Sequence, residues 1–83
     1  MNIKITIKIY EYRQLKQLTT RQLAALAGVS RSTISDAENG KHEITLSTLI
    51  KIAVALEVLP EDLYSYELVR DTEQISKSID NKS

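Results

Sequence analysis

Leu18-Thr19-Thr20-Arg21-Gln22-Leu23-Ala24-Ala25-Leu26-Ala27-Gly28-Val29-Ser30-Arg31-Ser32-Thr33-Ile34-Ser35-Asp36-Ala37-Glu38-Asn39-Gly40 is the stretch that decides the fold. Thr19, with Gln22 three residues on, forms a Thr-x-x-Gln capping box, so a helix starts at Thr20. The apolar residues Leu23, Leu26 and Ala27 are placed on one face of it. Gly28 follows the last of them and suits the left-handed conformation at a helix end. Ser30 then caps a second helix, with Thr33 at its third position, and Asn39-Gly40 stops it. Apart from Val29, Ile34 and Ala37, this second helix has almost nothing apolar. A short helix with so few anchors and small polar side chains outside is built to present a surface.

Further along, Thr45 caps a helix over Leu46 to Leu56. Leu46, Leu49, Ile50, Ile52, Ala53 and Leu56 give it the wide apolar stripe of a central core helix. Val58-Leu59-Pro60 reads as a turn. Pro60 with Glu61 and Asp62 opens a last helix, expected from Glu61 to about Tyr66 and anchored by Leu63. Residues 67–83 read as a polar tail, either frayed or a marginal helix built on Ile75 and Ile79.

In the other direction, Ile3, Ile5, Ile7 and Ile9 alternate with Asn2, Lys4, Thr6 and Lys8. Period two with β-branched residues argues for a strand. Ile5, Ile9 and Tyr12 also sit at helical spacing. Two readings stand: a strand over residues 2–5 followed by a helix from Thr6 to Gln17, or a helix that starts early. A lone strand with one apolar face needs a partner. No second strand is evident, so the same strand of another subunit is the expected partner. Tyr12 and Tyr64 are expected in the core, with Tyr10 and Tyr66 on a dimer surface.

At 83 residues, one small domain is expected, here residues 1–66. The absence of cysteine excludes a disulfide framework and a cysteine metal site. His42, the single histidine, lies in a loop without acids at ligand spacing and reads as solvated. With one His and no Cys, no nucleophile–base–orienter set can be assembled, so neither an enzyme nor a cofactor is expected. No apolar run approaches the roughly 20 residues of a membrane span, and no signal-peptide pattern opens the chain, so a cytoplasmic protein without membrane contact is expected. Formal net charge is zero, but it is divided. Residues 1–42 carry a net +4 and residues 43–83 a net −4, and the basic half contains the surface-presenting helix.

With the elements placed, residues from about Ile9 to Tyr64 resemble the Cro/repressor type of helix-turn-helix, the XRE family of bacterial and phage regulators. The carrying residues are Leu18-Thr19, Leu23-Ala24, Gly28-Val29-Ser30, Ser32-Thr33-Ile34-Ser35 and Glu38-Asn39-Gly40-Lys41. Leu46-x-x-Leu49-x-Lys51-Ile52-Ala53-x-Ala55-Leu56 continues the pattern. The resemblance implies an all-α, five-helix, lambda-repressor-like fold, with a short N-terminal strand and a tail added here. It implies a helix-turn-helix over residues 20–39, whose second helix enters the major groove of double-stranded DNA. It also implies a transcriptional regulator, most simply a repressor on a palindromic operator, acting as a homodimer. Ile3, Ile5 and Ile7, or the last helix, would supply the dimer surface. Two other classes share the fold: an antitoxin that neutralises a toxin and regulates its own operon, and a module for protein–protein contact.

Base reading then falls to Arg31, Ser32, Thr33, Ser35 and Asp36. Arg31 can bond guanine bidentately or hold a phosphate. Thr33 can offer a methyl to thymine or serve only the Ser30 cap. Asp36 has three open roles: cytosine reader, selector against other sites, or salt-bridge holder of Arg31 or Arg21. Phosphate contacts are expected from Thr20, Arg21, Asn39 and Lys41. Relatives of this type usually carry Gln at the position of Thr20, and Thr is too short both to brace the reading helix and to touch a phosphate. Gln17 stands where the family often has Gly, so that turn is expected to be mildly strained.

Overall fold

The computed structural model describes residues 2–41 and 43–69. The chain runs β1 (Asn2–Ile7), α1 (Ile9–Leu15), α2 (Thr20–Ala27), α3 (Arg31–Asn39), α4 (Leu46–Leu56), a 3-10 turn (Pro60–Leu63) and β2 (Tyr64–Val69). His42 and residues 70–83, and with them the reading of the tail around Ile75 and Ile79, lie outside the described residues.

Local chemistry sets the helix ends. Thr19 accepts the Gln22 N–H at 3.0 Å, and the Gln22 side chain accepts the Thr19 N–H at 2.8 Å, closing the capping box at the start of α2. Ser30 accepts the Thr33 N–H at 3.1 Å and Thr45 that of Thr48 at 3.2 Å, capping α3 and α4. Gly28 and Gly40 close α2 and α3 at φ 72° and 67°. Gln17 adopts φ 58°, the left-handed conformation expected of a position where relatives often have Gly. Glu57 does the same at φ 62° at the end of α4.

Ile9 of α1, Leu23 of α2, Ile34 of α3, Ile52 and Leu56 of α4, and Leu63 of the 3-10 turn are fully buried. Each contributes about 1.5–3 kcal/mol of apolar burial. Ala24, Ala27, Ala37 and Ala53 let the backbones of the helices approach closely around them. Leu26 is exposed, against the expectation that it shares the buried face. The buried arc of α2 is Leu23, Ala27 and Ala24, and Leu26 lies about 60° beyond Leu23 on the solvent side. Leu46 and Ile50 of α4 are also exposed. Leu46 starts the helix, and Ile50 lies about 100° from buried Leu49.

The chain ends depart most from the sequence reading. The strand runs over the whole of Asn2–Ile7, so α1 begins at Ile9 rather than Thr6 and ends at Leu15 rather than Gln17. The strand's partner belongs to the same chain. β1 pairs antiparallel with β2 in the register Ile3↔Leu68, Ile5↔Tyr66 and Ile7↔Tyr64. No fifth α-helix forms over Glu61–Tyr66. Asp62 accepts the Leu59 N–H at 3.0 Å to start a short 3-10 turn, and the chain then extends from Tyr64. Glu67–Val69, expected in the tail, complete that strand. The Lys8 N–H donates to the Leu63 carbonyl at 2.8 Å, joining the ribbon's root to the helical body. Tyr12 and Tyr64 pack partly buried against the core, while Tyr10 and Tyr66 are exposed.

Candidate nucleic-acid interface

α2 and α3 meet at the Gly28 turn, and the start of each opens onto one side of the molecule. There a cleft of about 900 Å³ is lined by Thr19, Thr20, Arg21, Ser30, Arg31, Ser32, Ser35 and Asp36. Six of the nine candidate residues thus share one wall, drawn from two helices. Arg21 and Arg31 are both exposed. The starts of two helices add unpaired backbone N–H groups and positive dipole ends to those two cations. The cleft is therefore suited to a polyanion.

The other three candidates are placed differently. Thr33 is half-buried, and its hydroxyl lies 2.7 Å from that of Ser30. It lines a separate recess with Asp36, Thr45 and Thr48. Its cap role is thus visible in the geometry. Asn39 is the exposed last residue of α3. Lys41 follows the Gly40 stop and lines a groove beneath the ribbon, with Ile5, Ile7 and Glu43. The Ser32 hydroxyl lies 3.1 Å from that of Ser30, so the cap holds it until a ligand competes.

A buried tie between α1 and α3 escaped the sequence reading. Arg13 of α1 is 9% exposed and reaches Glu38 near the end of α3. Its Nε donates to Glu38 Oε2 at 2.6 Å and its Nη2 to Oε1 at 3.0 Å, a bidentate pair. Nη1 donates to the Leu18 carbonyl at 3.0 Å, and the Tyr10 ring lies 5.2 Å from the guanidinium carbon. The Glu38 hydrogen bond raises the Arg13 pKa, opposed by burial and supported by the charges of Glu38 and Tyr10. A pKa raised in the fold gives stability that is present below the unfolded value and lost only as pH rises through the folded one. Both lie in the strongly alkaline range of arginine, so this contribution does not vary near neutrality. An arginine on a helix of only seven residues, with a glutamate just before the Asn39-Gly40 stop, was the available signal.

A helix-turn-helix family model matches residues 9–63. The chain belongs to the XRE-type helix-turn-helix family. The family is one of DNA-binding transcription regulators. An HTH-type transcriptional regulator of Methanocaldococcus jannaschii is 43% identical over 60 residues, spanning 72% of this chain and 91% of that protein. The control protein C.SmaI of Serratia marcescens is 38% identical over 58 residues, 68% of this chain and 69% of its own. The crystal structure of the restriction-modification controller protein C.AhdI from Aeromonas hydrophila superposes with a TM-score of 0.64 at 33% identity. That match covers 65% of this chain and 82% of the controller. The helix-turn-helix fold holds across this match, while the fifth α-helix does not form among the described residues. No helix among those residues is long and apolar enough to cross a membrane.

Proposed function

We propose that this XRE-type protein is a repressor that binds a palindromic operator as a homodimer. In this reading α3 lies in the major groove. Arg31, Ser32, Ser35 and Asp36 face base edges. Thr20 and Arg21 hold one phosphate strand, and Asn39 and Lys41 another. The observation that carries it is the shared cleft: Arg21 and Arg31 flank the starts of two helices on a surface that no core contact requires. Thr33 acts mainly through the Ser30 cap, because its hydroxyl is already engaged there. Repression follows from occupancy, since a protein seated across a promoter blocks access to it. The relatives named as a control protein and a restriction-modification controller support a regulatory role for this chain.

The test is selection from a random duplex library with wild type and Arg31→Ala in parallel. The expected wild-type result is a palindrome with half-site centres about one helical turn apart. Arg31→Ala is expected to lose discrimination at one position per half-site by about 1–3 kcal/mol, roughly a 5- to 150-fold loss. Lack of enrichment at low salt, where phosphate attraction is strongest, defeats the proposal in favour of a protein-binding role. Tight binding to a co-encoded toxin would favour the antitoxin class.

A further inference from the structure

The ribbon exposes what a folded chain normally hides. Side chains alternate along each strand, and the register places Ile3, Ile5, Ile7, Tyr64, Tyr66 and Leu68 on one face. The opposite face carries Asn2, Lys4, Thr6, Ser65, Glu67 and Val69, with Lys4 standing opposite Glu67. Only the root of the apolar face is tucked in, where Ile7 and Tyr64 pack against the core. Beyond it Ile3 is 59%, Ile5 58%, Tyr66 63% and Leu68 46% exposed. Together these four form an exposed, mostly apolar patch of roughly 400 Å², of the size that on a monomer is often functional. A two-stranded antiparallel ribbon is marginal in water unless something covers its apolar face.

We infer that the cover is the same face of a second copy, the two ribbons packing face to face and antiparallel about a two-fold axis near Ile5 and Tyr66. This inference deepens the dimer part of the function proposed above and rests on it. Two observations select this occupant. The first is the shape of the root. Ile5 and Ile7 form one wall of a groove of about 470 Å³, with Ala37, Gly40 and Ile44 opposite and the charged Lys41 and Glu43 at the same wall. In an antiparallel pair the tip of one ribbon, Ile3 and Leu68, lies over the root of the other and enters that groove. Each copy then offers both the tip and the receptor, which is the self-complementarity an isologous interface needs.

The second observation is area. Complete burial of the facing ribbons would remove at most roughly 900 Å² over both copies, short of the about 1,200 Å² of a stable interface, so the body-side wall of the groove must contribute the rest. Joining β1 strands edge to edge instead would make a four-stranded sheet with its apolar face still open and doubled in size. That arrangement gains hydrogen bonds but leaves the apolar surface in water. Face-to-face packing removes it.

Sedimentation of the full chain without DNA tests this independently of operator binding. The wild type is expected at dimer mass at micromolar concentration, and Ile3→Glu and Tyr66→Glu at monomer mass with their helical circular dichroism retained. Val54→Glu, on the exposed side of α4, is expected to remain a dimer. Because the chain has no cysteine, a single introduced one reports proximity cleanly. Ile5→Cys is expected to be joined to its copy by a bismaleimide spanning about 10 Å, the distance between packed sheets, while Lys4→Cys on the polar face is not. A monomeric wild type overturns the inference, as does a dimer that survives both glutamates or yields instead to Val54→Glu. Preferential coupling of Lys4→Cys overturns it as well. An intact dimer that selects no DNA would defeat the operator reading and leave this interface standing.

Discussion

Removing Arg13 is expected to cost this protein more than removing any surface charge, and the structure sets the size of the effect. The Arg13 and Glu38 side chains are 11% and 10% exposed, so the pair is held largely out of water. Arg13→Ala leaves both Glu38 oxygens without their donors and strips the Leu18 carbonyl of its Nη1 bond. Breaking one side of a buried pair typically costs about 3–5 kcal/mol, since the remaining charge stays desolvated. Residual exposure lets water reach Glu38, which favours the lower end, about 3 kcal/mol. In a domain of this size each kcal/mol moves the melting temperature by about 4–8 °C, so a fall of roughly 12–24 °C is expected. The double variant Arg13→Met with Glu38→Leu removes both charges, and its expected cost is below about 1.5 kcal/mol. Thermal and urea unfolding followed by circular dichroism measure both. A loss under about 1 kcal/mol for Arg13→Ala would refute the reasoning. It would mean that the pair is solvated in solution and that packing alone sets the pose of α3. If the pair does set that pose, the double variant folds but binds operator more weakly than wild type. Equal affinity would remove the pair's role in recognition.

Ile34→Asp is expected to unfold the domain at 25 °C, because Ile34 is fully buried and a carboxylate there has no partner; an unchanged melting temperature would contradict this. Gln17→Gly should stabilise by about 0.5–1 kcal/mol, by relieving a left-handed non-glycine residue at φ 58°. Gly28→Ala should destabilise by about 1 kcal/mol although no tertiary neighbour lies within 4 Å of the added methyl, because at φ 72° the Cβ crowds its own backbone; both changes are read in urea. Arg21→Ala should weaken all DNA sequences alike and lower the salt slope of binding by about 1, whereas Arg31→Ala should alter sequence preference; titrations at several salt concentrations separate the two.

Legibility followed the distance between interacting residues. Each helix cap from Thr19 to Thr45 involves partners no more than three residues apart, so the boundaries of α2, α3 and α4 could be read residue by residue. The left-handed backbone at Gln17 was expected from the resemblance to a family that often has Gly there. The candidate site was legible as a set of polar positions on α3 and at the start of α2, of which Arg21, Arg31 and Ser32 are exposed and Thr20, Thr33, Ser35 and Asp36 half-buried. Which of them face one cleft was not. That depends on how α2 and α3 cross at Gly28, and the crossing turned Thr33 and Lys41 toward other recesses. Leu26 was misplaced because an eight-residue helix allows more than one apolar arc, and contact with the other helices chooses between them.

At the chain ends the local signals were ambiguous. Ile5, Ile9 and Tyr12 fit a helix, while Ile3, Ile5 and Ile7 fit a strand. Tyr64-Ser65-Tyr66-Glu67-Leu68 alternates as plainly as the first strand, but it follows a Pro-Glu-Asp helix start that masks the pattern. A strand does not satisfy its own backbone, whereas a helix does, so neither segment can commit without the other. The partners are some sixty residues apart, Asn2 with Val69 and Ile7 with Tyr64, so no local signal joins them. The capped helices, and with them the polar positions along α3, were therefore determined by the sequence alone, through contacts a turn apart. The ribbon, the buried Arg13–Glu38 pair and the cleft were decided only by tertiary structure, because each requires groups that the chain brings together from distant positions.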